Sequence, residues 1–190
     1  MGFFKKYGYT MMKLFLNQFA ISLFGMALAF ACSRAERPKL LLITSIFAVL
    51  FYLFLEYAVM WEVGAKDGIT AKARQTPRGL WRGFMISICA NALNLLLACL
   101  ILSKAFAGGE NPVSAVAQAI AMFLQGMYQG ILSQSVGGVQ LYTFVWMYFV
   151  IVVPAVLVCG VAYILGQYEL HATNILIPKN KDVKNNGRPE

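Results

Sequence analysis

Charge is what this chain has least of. Only 13% of its 190 residues are Asp, Glu, Lys or Arg, and 59% are hydrophobic. A soluble domain carries about 25% charge and about 45–50% apolar residues. The shortage excludes an ordinary water-soluble fold and puts the chain in the membrane class. Histidine is scarcer still, with His171 alone. One histidine excludes an HExxH zinc site and leaves any Ser-His or Cys-His site dependent on that residue. The four cysteines, Cys32, Cys89, Cys99 and Cys159, form no CxxC pair. Neither a disulfide framework nor a zinc site has its spacing here, so they read as small, buried, reduced hydrophobes. The glycine pairs Gly108-Gly109 and Gly137-Gly138 lack a following lysine, which excludes a P-loop. No catalytic residue, metal-ligand set or cofactor is expected.

Long apolar runs are what the chain does have. A hydrocarbon core about 30 Å thick needs about 20 apolar residues per helix. Residues 11–32, 40–61, 83–102 and 142–166 meet that length. A fifth run, 112–134, carries Ser114, Gln118, Gln125, Gln129 and Ser133, which at helical spacing fall within an arc of about 100°. It could lie flat on the outer surface, dip into the membrane or cross it. The expected fold is all-α: a polytopic membrane helical bundle of four transmembrane helices plus an amphipathic extracellular or interfacial helix. Residues 1–177 form one membrane domain, and the Asn/Lys-rich stretch 178–190 reads as a disordered cytoplasmic tail.

The net charge of +8 could suit nucleic acid or anionic lipid, but the charges sit at the ends of the apolar runs, so lipid is the expected partner and nucleic acid is not. With four spans, 12 of the 16 basic residues fall on one side, leaving Arg34, Arg37, Lys39 and Lys104 on the other; with five spans the split is 8 against 8. The positive-inside rule favours four, in a cell (plasma) membrane with both termini cytoplasmic. The stretch ending Ala29-Phe30-Ala31-Cys32 also resembles a signal peptide, although its apolar run is long for one; the orientation is the same on either reading.

Smaller signals punctuate the runs. Thr76-Pro77 reads as the opening of the third helix and Asn111-Pro112 as that of the fifth. Pro154 predicts a kink in the last span. Gly126 and Gly130 form a GxxxG, which in a spanning helix would be a close-packing face.

Glu56 is the outlier. It lies five residues before Trp61, about 7–8 Å inside the inner interface. An ionisable group there is expensive and is a functional-site hypothesis by default. It could instead pair with Arg82 or take hydrogen bonds from a neighbouring helix. Asn91 and Asn94 share a face of the third run, and Asn17 and Gln18 lie at a similar depth on the first. With Glu56 they could form one polar cluster, acting either as glue between helices or as the lining of a small cavity.

Residues 56–67 (EYAVMWEVGAKD), followed by Pro77-Arg78-Gly79-Leu80, resemble small multi-pass membrane proteins of Gram-positive bacteria, a group that implies no activity. In length the chain also resembles the substrate-binding subunits of vitamin transporters, which have six spans against four or five here. The first functional expectation is a non-catalytic accessory subunit that binds another membrane or cytoplasmic protein through the 63–82 loop. The alternative is a small transporter or channel component with an intramembrane polar site around Glu56.

Overall fold

A computed structural model describes residues 2–34, 38–106, 109 and 111–170. His171, the tail 178–190, Arg37 and Gly108 lie outside the described residues. The stretch before Pro38 holds no proline, and it folds as one 32-residue helix, α1 (Phe3–Arg34). The next helix, α2 (Pro38–Ala73), starts on a proline, which suits a first turn. Its 36 residues make it about 54 Å long, well beyond an apolar core of about 30 Å. Gln75, at φ 51°, ends it by turning the chain so that Thr76 N donates to Ala71 O at 3.0 Å.

The expected 63–82 loop is therefore mostly helix. Charge at Glu62, Lys66 and Asp67 ends an apolar run but not a helix, and Lys66 pairs with Glu62 one turn away at 2.6 Å. Only 74–81 is loop, and the third helix opens at Arg82 instead of Pro77.

The third apolar run breaks at Asn91 into α3 (Arg82–Ala90) and α4 (Ala92–Phe106), bent by 60°. Asn91 leaves helical geometry at φ −88° and ψ 9°, and its Nδ2 (3.0 Å) joins its backbone N (2.9 Å) on the Ser87 carbonyl.

The Gln-striped run breaks as well. Its start is as expected: Asn111 caps α5 (Pro112–Leu124) in a reciprocal capping box with Ser114. At Gln125 the chain bends by 84° into a 3₁₀ turn (Gly126–Tyr128) and the short α6 (Gln129–Leu132). The stripe does not face water. Gln125 is buried, Gln118 Nε2 donates to Tyr142 O (3.3 Å), and Gln129 Nε2 reaches back across the bend to Met122 O (3.3 Å). A hairpin follows, β1 (Ser135–Val136) with β2 (Val139–Gln140), turned by Gly137 and Gly138 at φ +62° and +81°. The last run is α7 (Met147–Val150) and α8 (Val153–Gln167), with the irregularity just before Pro154.

Three helices, Phe3–Cys32, Lys39–Ala73 and Met147–Gln167, are long and apolar enough to cross a membrane, and five spans result if each bent pair counts as one. The molecule is a predominantly helical, multi-pass membrane protein by length and composition.

Packing sets the arrangement. α1 and α2 are antiparallel, with Tyr7 against Asp67 at one end and Cys32 near Thr44 at the other. α2 and α8 run parallel, with Gly64 against the Tyr163 carbonyl and Gly166 against the Trp61 carbonyl. The α5–α6 bend inserts between α1 and α2. Ser22 Oγ donates to Leu124 O (2.5 Å), Gly126 lies on the Ser22 carbonyl, and Gly130 N donates to Ser45 Oγ (2.7 Å). The two glycines of the GxxxG thus admit two different helices.

Candidate functional site

Two apolar clusters fill the bundle. One gathers Ile21, Tyr52, Leu97, Met127 and Ala155; the other gathers Leu14, Met60, Ile86, Ala90 and Tyr163. Between them in sequence lie polar residues: Gln18 on α1, Glu56 on α2, and Asn91 and Asn94 where α3 gives way to α4. The bundle therefore carries a buried polar layer, and Glu56, Gln18, Asn91 and Asn94 are all in it.

Asn94 Nδ2 donates to Gln18 Oε1 (2.9 Å) and to Asn91 Oδ1 (3.0 Å), and Gln18 Nε2 reaches the Leu124 carbonyl at the α5–α6 bend (3.4 Å). The layer thus ties both helix breaks to α1. Asn17 is not part of it. It is half-buried and is displaced from Gln18 by the 100° that separates successive helix positions, so Gln18 is the one that turns inward.

Glu56 is 1% exposed. Its Oε2 accepts from the Cys159 thiol at 3.4 Å, while Oε1 has no hydrogen-bond partner among the described residues. Arg82 is not its partner. That residue is exposed at the end of the bundle beside Tyr7, whereas Glu56 is buried and takes its hydrogen bond from Cys159 on α8. Cys159 was read as a plain hydrophobe, and only the α2–α8 register identifies it as the carboxyl's neighbour. Cys32 is buried as expected, but Cys89 is half-buried and Cys99 exposed; all four are free thiols.

One turn from Glu56 is a small cavity of about 10 Å³, lined by Gln18, Tyr52, Asn91, Asn94, Gln125 and Tyr128 among others. That is about the space of one water molecule. Three oxygens on its lining residues have no hydrogen-bond partner among the described residues: Asn94 Oδ1, Gln125 Oε1 and Tyr128 Oη. Buried polar atoms are seldom left so, and where several share a cavity with room for a water they are commonly satisfied by one.

No protein-family model, curated protein or solved structure matches the chain. Among the described residues no group of three or more His, Cys, Asp and Glu gathers to hold a metal ion.

A second polar cluster lies at the end of the bundle where α1 begins and α2 ends. Asp67 accepts from Lys6 Nζ, Tyr7 Oη and Tyr163 Oη, each at 2.6 Å. The sequence showed Asp67 only as one charge among the basic residues of a loop.

Proposed function

We propose that this chain is a small membrane transport component that passes a monovalent cation, a proton or a metal ion, through its polar layer, with Glu56 as the charge that receives it. The observation that supports this reading is the set of unpartnered oxygens around a one-water cavity, placed where two helices break and one turn from a buried carboxyl. Irregular backbone at membrane depth is tolerated where it is buried in protein or lines a cavity, and discontinuous helices are how many transporters build an ion site. In this reading the cavity is the closed state of a pathway. The cation meets Asn94 Oδ1, Gln125 Oε1 and Tyr128 Oη, and Glu56 Oε1 neutralises it.

The proposed topology has four spans: α1, α2, the bent pair α3–α4, and α7–α8. The α5–α6 bend is a re-entrant segment that enters and leaves on one side. Both termini are then cytoplasmic, in line with the distribution of Lys and Arg.

The test is flux in proteoliposomes, followed with a pH-sensitive dye and with sodium or potassium gradients. Glu56→Gln keeps the shape and removes the charge. It is expected to lower flux at least about tenfold, or ~1.4 kcal/mol, with the thermal midpoint little changed. Equal flux in the variant overturns the reading. No flux in the wild type also overturns it and favours an accessory subunit, for which the observation is the overhang of α2, whose last turns present exposed Lys66 and Lys72 beyond the apolar length.

A further inference from the structure

Two clefts flank the first turns of α1, one on each side. The larger, of about 600 Å³, runs between α1 and α2 and is lined by Tyr9, Thr10, Lys13, Lys66 and Arg74 among others. The smaller, of about 450 Å³, lies between α1, the end of α2 and the loop before α3, and is lined by Phe3, Thr76, Pro77, Arg74 and Arg82 among others. Lys6, Tyr7, Asp67, Thr70 and Arg74 belong to both. Volumes of this size suit a small organic ligand.

The chemistry of the walls is one-sided. Five cations, Lys6, Lys13, Lys66, Arg74 and Arg82, face two carboxylates, Glu62 and Asp67. Both carboxylates are already engaged, Glu62 by Lys66 and Asp67 by Lys6 and two tyrosine hydroxyls. Lys13, Arg74 and Arg82 take part in neither ion pair. The first residues of α1 and α3, Phe3 and Arg82, line the smaller cleft. Thr10 and Thr76 supply hydroxyl groups, the Thr70 hydroxyl being already given to the Lys66 carbonyl (2.8 Å), and Phe3, Val59, Val63 and Pro77 supply apolar wall. Trp81, with Phe4 and Tyr9, stands exposed at this same end, as residues at a headgroup boundary do.

We infer that this pair of clefts binds a phosphate-bearing anion, and the apolar walls favour the headgroup of an anionic phospholipid as its source. Asp67 then has a defined role. Its three hydrogen bonds, from Lys6, Tyr7 and Tyr163, hold Lys6 and Tyr7 between the clefts. The inference does not depend on ion passage through the polar layer, because the two clefts share no lining residue with the cavity of that layer.

The full-length chain in detergent is titrated at constant ionic strength with dihexanoyl-phosphatidylglycerol, with dihexanoyl-phosphatidylcholine and with sodium phosphate, and the thermal midpoint is followed by tryptophan fluorescence. A ligand of the native state raises the midpoint saturably. The anionic lipid is expected to do so and the zwitterionic one not to. A shift with inorganic phosphate at similar concentration identifies a soluble phosphate compound as the source, and a shift with the lipid alone identifies the headgroup. Arg74→Gln and Lys13→Gln, both at exposed positions outside the Asp67 cluster, should each raise the half-saturating concentration roughly fivefold. Equal shifts with both lipids, no shift with any of the three, or unchanged titrations in both variants overturn the inference.

Discussion

Asp67 shows how one side chain can join three elements. Tyr163 is fully buried on α8, Tyr7 nearly so on α1, and both hydroxyls end on Asp67 Oδ2 at 2.6 Å, while Lys6, 43% exposed, takes Oδ1. Exposure decides which contact matters. Lys6 can trade the carboxylate for water at small cost, as exposed ion pairs do. The Tyr163 hydroxyl is fully buried, so losing the carboxylate gives it no exchange with water. Tyr163→Phe should therefore cost about 1–2 kcal/mol, the range for a hydrogen bond to a charged group shared with another donor. Lys6→Gln should cost less than about 1 kcal/mol. Chemical or thermal unfolding of the two purified variants gives the order directly, and a larger loss in Lys6→Gln would show that the ion pair, not the buried hydroxyl, holds the corner.

At the scale of elements, close approach of backbones does the work that bulky side chains do in a soluble core. A Cβ at Gly64 would meet the Tyr163 carbonyl oxygen, and one at Gly166 would meet the Trp61 carbonyl oxygen. Backbone atoms cannot rotate away, so the helices would have to part. Gly8, also in a helix, has nothing within 4 Å of an added Cβ. Gly64→Ala is thus expected to destabilise by about 1–3 kcal/mol, the range for overpacking. Gly8→Ala should be neutral or stabilising by up to about 1 kcal/mol through helix propensity. Thermal midpoints of the pair test this; equal effects would show that α2 and α8 do not depend on contact at Gly64. The same physics explains what could be read beforehand. The apolar runs and the Asn111 cap are local signals and were legible. The break at Asn91 was not, because one asparagine bonding its own Ser87 carbonyl looks the same in sequence as an asparagine in a straight helix. Nor was the helical extension of α2 past Glu62, which depends on Gly64 and Gly68 packing on α8. Of the expected polar site, Glu56, Asn91 and Asn94 do lie in one layer. The choice of Gln18 over Asn17, the thiol of Cys159, and the departure of Arg82 to the far cleft depend on helix rotation and register, which hydropathy does not encode.

For the whole molecule, the α5–α6 bend decides the topology. Asn111 Nδ2, at the start of the segment, donates to Ser103 Oγ near the end of α4 (3.3 Å). The bend itself reaches Ser22, near the middle of α1, and Gly130 then comes against Leu41, close to the start of α2. The segment therefore returns toward the end of the bundle from which it set out. It stays buried where its backbone is irregular, as Leu124, Gln125, Gly126, Met127 and Tyr128 all are, which is the condition for such backbone within a bilayer. A re-entrant segment puts the exposed β1–β2 hairpin on the same side as Lys39. A spanning segment puts it on the side of Lys72. In a background with the four native cysteines replaced, single cysteines at Lys39, Lys72 and Val139 can be labelled in sealed vesicles with a membrane-impermeant maleimide, before and after permeabilisation. Val139→Cys is expected to react together with Lys39→Cys, and Lys72→Cys from the opposite side. Reaction of Val139→Cys with Lys72→Cys would mean that residues 112–132 cross the membrane. The polar layer would then lie between five spans and would lose the re-entrant tip on which the proposed ion site depends.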